Sequence, residues 1–321
     1  MRGTTVSFPG LGIGEFTMNK VAFELGNLQV RWYGIIITLG IVLAVLYVIW
    51  RGKYEGISSD DVLDYTIWTV LFAVLGARLY YVLTTLKTPS GEWNYTSFRD
   101  VIAIWEGGLA IYGGIIAGAA TIVVVSLVKK FDKSKLIKMF DMVAPAVMLG
   151  QIIGRWGNFV NGEAHGTETA ANFFLRMGLF EGGKMIYVHP TFLYESRWNL
   201  VGFVLINLLY KKKKFDGQVL LMYLGWYGFG RMFIEGLRTD SLYVGPFRIS
   251  QVIGALCFVV SAILLVYFLY RARRRELEAA CEYQPMFEKL RGVAFWRREA
   301  AKNEPATKEE DENTQDVESE E

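Results

Sequence analysis

Seven runs of mainly apolar residues divide the first 270 positions, and they constrain the fold more than any other feature of the chain. They cover 33–50, 62–83, 109–128, 136–153, 192–210, 219–233 and 249–270. A helix crosses a bilayer in roughly 20 apolar residues. In hydrocarbon every backbone N–H and C=O must find its partner inside the protein, which favours helices. The runs therefore predict an all-α polytopic membrane protein with about seven transmembrane helices. Lys138, Asp141 and Pro145 interrupt the fourth run, and glycines interrupt the sixth. Hydrophobic residues make up 52% of the 321, too many and too evenly striped for an ordinary soluble domain.

Lysine and arginine placement sets the orientation. Arg51 and Lys53 follow the first run, and Lys129, Lys130, Lys133 and Lys135 the third. Lysines 211–214 follow the fifth, and Arg271, Arg273, Arg274 and Arg275 the seventh. The alternate loops are longer and sparser in positive charge, so the N-terminus is expected outside and the C-terminus in the cytoplasm. Three regions follow: an outer N-terminal segment at 1–32, the transmembrane domain at 33–270, and a charged, largely disordered cytoplasmic tail at 271–321. Within the tail, 285–301 mixes aromatics with positive charge and suits a membrane surface, whereas 304–321 is strongly acidic and too polar to fold alone. Met1-Arg2 leads into a mixed polar segment and not a signal-peptide core, so the first span is expected to be retained. Cys257 and Cys281 lie in no CxxC or metal-ligand pattern. Neither a metal, a cofactor nor a nucleic-acid partner is expected.

One segment carries most of the chemistry: Gly154-Arg155-Trp156-Gly157-Asn158-Phe159-Val160-Asn161-Gly162-Glu163-Ala164-His165-Gly166. The apolar run before it delivers Arg155 to the edge of the hydrocarbon, and Asn158, Asn161 and Glu163 crowd into a glycine-rich stretch beyond. Ionisable groups at membrane depth are costly and mark function or a buried pair. Arginine forks onto phosphate better than any other side chain, and glycine lets backbone approach a ligand closely. The segment reads as a lipid-phosphate site. In the predicted topology Arg78, Arg155 and Arg231 fall at the outer ends of outward-running spans. Tyr33, Tyr112, His189 and Glu195 fall at the outer beginnings of inward-running ones. Polar chemistry thus converges near the outer leaflet, where an enzyme acting on an outer-leaflet lipid would need it. A transporter would more often gather such groups at the midplane of paired repeats, and no repeated half is visible.

Several of these residues have a plainer reading. Arg78 would snorkel to the interface, Tyr33 would anchor there, and His189-Pro190 would only start a helix. Arg231 and Glu235 are spaced i,i+4 for a structural ion pair. Gly113, Gly114 and Gly118 suit close helix packing better than a ligand loop. Four polar side chains in nine residues, Arg155, Asn158, Asn161 and Glu163, exceed what anchoring requires.

The 154–163 segment resembles the signature of the prolipoprotein diacylglyceryl transferase family. The likeness extends to Trp32-Tyr33-Gly34, Gly76-Ala77-Arg78, Trp105-Glu106-Gly107-Gly108-Leu109, His189-Pro190-Thr191-Phe192-Leu193-Tyr194-Glu195 and Gly230-Arg231-Met232-Phe233-Ile234-Glu235, over about residues 1–270. The resemblance implies transfer of the sn-1,2-diacylglyceryl group from phosphatidylglycerol to the lipobox cysteine of a prolipoprotein. A thioether forms and glycerol 1-phosphate leaves, in a bacterial cytoplasmic membrane. The nucleophile arrives with the peptide, so neither Cys257 nor Cys281 is needed. Arg155, helped by Arg231, would bind the phosphate and stabilise its departure. Asn158, Asn161 and Glu163 would orient the head group or Arg155, and Gly157 and Gly166 would permit close approach. Tyr33, Arg78, Tyr112, His189 and Glu235 complete the expected substrate contacts, and 167–188 is expected to form an outer loop admitting the peptide. Some members carry a histidine where Tyr112 stands, so no histidine base is expected there, and the sequence assigns no general base.

Overall fold

The computed structural model describes residues 3–26, 28–87, 91–181 and 183–302, excluding the side chains of Leu28, Glu106, Glu181 and 278–302. Helices dominate. In chain order they are α1 (Trp32–Glu55), α2 (Ser59–Thr84), the short α3 (Phe98–Ile102), α4 (Ile111–Val128), α5 (Lys133–Asn161), α6 (Thr191–Tyr210), α7 (Gln218–Leu237) and α8 (Ile249–Lys302). Local chemistry sets several ends. Ser58 caps α2 by accepting from the Asp61 N–H, and Asp132 caps α5 by accepting from the Lys135 N–H. Gly56 and Gly162, both left-handed, close α1 and α5.

Among the described residues five helices are long and apolar enough to cross a membrane: α1, α2, α4, α5 and the Ile249–Leu277 part of α8. Their large apolar side chains point outward; Leu79, Leu127 and Val266 are all more than half exposed. A continuous apolar exterior of this kind belongs in hydrocarbon and not in water. The chain is a multi-pass membrane protein. Helices α6 and α7 have 20 residues each, carry Glu195, Arg197, Arg231 and Glu235, and are not among these five.

Small residues let the helices pack. On α2, a Cβ at Gly76 would lie 2.8 Å from the Gly113 carbonyl oxygen of α4, so the two backbones touch. This is the packing face expected of the α4 glycines. Between α6 and α7, Trp198 and Trp226 stack at 4.3 Å, and each indole N–H donates to the other's backbone carbonyl at 2.9 Å. At the end of the bundle away from the arginine signature, buried Asp141 accepts from the Gly217 and Leu220 N–H groups. Lys213 there pairs with Glu55 at 2.9 Å.

The all-α expectation needs correction. Residues 1–32 and 167–188 supply strands: β1 (Thr4–Phe8), β2 (Ile13–Met18), β3 (Val21–Leu25), β4 (Leu28–Arg31), β5 (Met177–Glu181) and β6 (Lys184–Val188). They form an antiparallel sheet ordered β2-β1-β5-β6 and a separate β3-β4 hairpin; β7 (Tyr243–Val244) and β8 (Phe247–Arg248) make a third, small ribbon. The β1–β5 pairing joins segments more than 170 residues apart, with Val6 opposite Leu179. No local periodicity announces such a partner. The sheet buries Val6, Phe8, Leu179 and Val188 against Phe192, over the end of α5 where Phe159 stacks on Phe192 at 4.4 Å.

Contacts divide the chain into Met1–Phe268 and Leu269–Glu321. Beyond residue 271 the described backbone is helical through Lys302. Strong helix formers between Arg271 and Ala280 account for this. The surface-lying reading of 285–301 depends on side chains outside the described residues, as does the position of Cys281. The acidic end 304–321 lies outside them entirely.

Candidate active site

Helix α5 runs more than four turns past Pro145 and includes most of the arginine signature, so Asn158 and Asn161 are helical and not part of a loop beyond the span. Arg155, Asn158 and Glu163 form a chain of polar contacts. Arg155 Nη1 donates to Asn158 Oδ1 at 3.3 Å, and Asn158 Nδ2 donates to Glu163 Oε1 at 3.0 Å. Asn161 Nδ2 donates to the same carboxylate oxygen at 3.3 Å. Gly157 lies under the Tyr33 ring, where a Cβ would come within 3.0 Å of Tyr33 Cδ2. The glycine brings Tyr33 onto the helix, and Tyr33 feels both Glu163 and Arg155.

Glu195, on the second turn of α6, is the hub. It is 3% exposed and draws three guanidinium groups toward one carboxylate. Arg155 Nη2 donates to Oε1 at 2.7 Å and lies 2.7 Å from Oε2, Arg231 Nη1 donates to Oε1 at 3.0 Å, and Arg238 Nη1 stands 3.8 Å from Oε2. Arg231 also reaches Glu235 Oε2 at 2.5 Å, the i,i+4 pair that the spacing suggests. Glu235 is therefore a buried ion-pair partner within α7. Arg238 forks onto Asp240 at 2.9 and 2.6 Å. Burial alone would raise the Asp240 carboxyl, but the Arg238 fork outweighs it and holds it below its usual value. Glu195 and Glu235 thus hold Arg155 and Arg231 side by side. A guanidinium has five N–H donors, and two on each of these arginines face protein acceptors. Their side chains remain 17% and 13% exposed, so donors are left for an anion.

Other expected contacts have different occupations. Arg78 does not snorkel. It is 8% exposed and donates to the carbonyls of Val101 (2.8 Å), Gly107 (2.7 Å), Gly108 (3.1 Å) and Asp100 (2.5 Å). Four of its five donors are used to shape the 100–108 segment. Gly166 packs closely on protein: its N–H donates to the His189 carbonyl at 2.9 Å, and a Cβ would sit 2.7 Å from His189 Cβ. Together with Thr191 Oγ1 to Ala164 O at 2.7 Å and Thr167 N–H to Leu237 O at 2.7 Å, it joins the ends of α5, α6 and α7. His189 bonds Tyr194 at 3.2 Å and meets Phe173 edge-on; burial lowers its pKa. Among the described contacts none joins it to Glu195 or Arg155. Tyr112 shares a 2.7 Å hydrogen bond with Ser250 at the start of α8, and it lies in the field of Arg231. The 167–188 segment is the β5–β6 hairpin of the sheet.

Sequence reasoning placed Glu195 at the right level but gave it no role, and it missed Arg238. A signal for Arg238 existed: it stands seven residues after Arg231, just past the end of α7. Among the described residues no cluster of His, Cys, Asp or Glu could hold a metal ion.

A model of the prolipoprotein diacylglyceryl transferase family matches residues 20–267. Three curated relatives are each named phosphatidylglycerol–prolipoprotein diacylglyceryl transferase. That of Listeria welshimeri is 40% identical over 267 residues, covering 80% of this chain and 92% of its own. That of Lactobacillus acidophilus is 45% identical over 266 residues, covering 79% and 91%. The first of the enzymes so named in Clostridium perfringens is 42% identical over 266 residues, covering 80% and 97%.

Proposed function

Because the chain belongs to the prolipoprotein diacylglyceryl transferase family, we propose that the Arg155–Glu195–Arg231 cluster is where phosphatidylglycerol gives up its diacylglyceryl group. The enzyme transfers that group from phosphatidylglycerol to prolipoprotein, a step of lipoprotein maturation. The acceptor is the thiol of the lipobox cysteine, which must lose its proton because the thiolate is the nucleophile. Its sulfur attacks the glycerol carbon bonded to phosphate. The C–O bond breaks, a thioether forms, and glycerol 1-phosphate leaves with the bonding electrons on its phosphate.

Negative charge grows on that phosphate as the bond lengthens. Donors already aimed at the developing charge cost no reorganisation during reaction, and in a water-poor site they act strongly. The single observation carrying this reading is the pair of partly exposed arginines pinned by one buried carboxylate. Asn158 and Glu163 orient Arg155 from one side, and Tyr33 covers Gly157 beside it.

The same reading takes α6 and α7 as spans, giving seven. Twenty residues at 1.5 Å each reach about 30 Å, the thickness of the hydrocarbon core. Three of their buried charges, Glu195, Arg231 and Glu235, are paired, which lowers the cost of burial. With the N-terminus outside and the C-terminus in the cytoplasm, the cluster faces the outer leaflet of the cytoplasmic membrane, under the β-sheet. Purified enzyme in vesicles with a lipobox peptide tests the assignment. Thioether product is expected with phosphatidylglycerol and little with a zwitterionic lipid; equal turnover of both would remove the argument from phosphate charge.

A further inference from the structure

One helical turn inward from the arginine cluster, α5, α6 and α7 each carry a neutral polar side chain. Gln151 stands four residues before Arg155, Asn199 four after Glu195, and Tyr227 four before Arg231. Residues four apart share a helix face, so the three lie beneath the charged layer. Ser196 Oγ donates to the Ile152 carbonyl at 3.0 Å and fixes α6 against α5 at this height. Gln151 Nε2 donates to Tyr223 Oη at 3.0 Å. Further in, Met148, Ile206 and Val219 close the layer with apolar packing.

Asn199 is the anomaly. It is 0% exposed, and neither its Nδ2 nor its Oδ1 has a hydrogen-bond partner among the described residues. Gln151 Oε1 is buried and unpartnered as well. Glu195 Oε2 lies at ion-pair distance from Arg155 and Arg238 but accepts no well-aligned hydrogen bond. A buried amide left without partners is costly, and native interiors resolve such groups with protein or water. The inventory is rich in acceptors: Asn199 Oδ1, Gln151 Oε1 and Glu195 Oε2 need hydrogens, and one amide nitrogen offers them. Water matches this demand, since each molecule both donates twice and accepts, and buried waters typically make about three hydrogen bonds.

We infer that Asn199 and Gln151 hold buried water against the inner side of Glu195, and that Asn199 is thereby a positioning residue for the arginine pair. The water accepts from Asn199 Nδ2 and donates to Gln151 Oε1 and toward the Glu195 carboxylate, so the carboxylate is supported from below while Arg155 and Arg231 hold it from the sides. This rests on the reading of the arginine cluster as the phosphate site, and the tests separate the two.

The first test uses the unaltered full chain in lipid nanodiscs, at a resolution that shows ordered water. Density within hydrogen-bond reach of both the Asn199 and Gln151 amides is expected. A dry layer, or an Asn199 amide paired to protein, would overturn the inference whatever the arginines do. The second test is kinetic. Asn199→Leu is expected to lower kcat about tenfold, in line with loss of a buried hydrogen-bonding group. KM for phosphatidylglycerol should change less than about twofold, because uniform binding is untouched. Asn199→Ser, which keeps a donor and an acceptor, should recover most of the loss. Asn199→Leu combined with Gln151→Leu should be no worse than the poorer single variant, since both lose the same water. Native kcat in Asn199→Leu, no recovery in Asn199→Ser, or additive losses would each refute it. A silent Arg155→Gln alongside ordered water would instead condemn the phosphate site and leave the hydrated layer standing.

Discussion

Arg155 illustrates how much depends on the shape of one side chain. Its fork serves Asn158 and Glu195 at once and still offers donors outward. Lysine would keep the charge but not the planar fork, so Arg155→Lys should retain part of the lipid affinity. Arg155→Gln should slow transfer by about 10²–10³-fold, the usual cost of removing one oxyanion donor. Single-turnover rates with insertion checked in parallel measure both; a normal rate in Arg155→Gln would dismiss the proposed centre. His189 lends itself to a pH test. Burial lowers its pKa, so the unfolded chain binds this proton more readily than the folded one. Stability from this residue is full above the unfolded value of about 6.5 and is lost as pH falls below it toward the depressed folded value. The unfolding midpoint should fall less steeply below pH 6.5 in His189→Gln than in the native chain; parallel curves would clear His189 of any part in acid sensitivity.

Among the elements, α2 and α4 make the closest approach. A Cβ at Gly113 would lie 2.4 Å from Tyr80 Cβ and against the Gly76 carbonyl, with no flexible side-chain end to give way. Gly113→Leu should therefore force the helices apart and destabilise by at least about 1–3 kcal/mol, the range for overpacking. A thermal melt in detergent measures it, and an unchanged melt would mean that the helices do not touch here. The glycine pattern made this face legible, because close packing needs small residues at helical spacing. The sheet was not legible. Strand β1 pairs with β5 across more than 170 residues of chain, and the sheet packs on Phe159 and Phe192 at the ends of α5 and α6, so its pairing register depends on tertiary structure.

For the whole molecule, the site residues all fall within Met1–Phe268. Truncation after Arg275 should leave diacylglyceryl transfer near the native rate. Total loss of activity in a correctly inserted truncation would mean that the tail contributes to the reaction. The sequence by itself determined the membrane class, because the number and length of apolar runs answer to bilayer thickness alone. It also marked Arg155 and Arg231, because isolated charges in such runs need a reason to be there. What each charge does was decided by contacts between distant segments. Arg78 and Arg155 look alike in sequence, each following a small residue near a span end. One spends four donors on the carbonyls of the 100–108 segment, and the other shares Glu195 with Arg231 and keeps donors free. An arginine's role depends on which acceptors surround it in space, and only the packing of α5, α6 and α7 supplies that set.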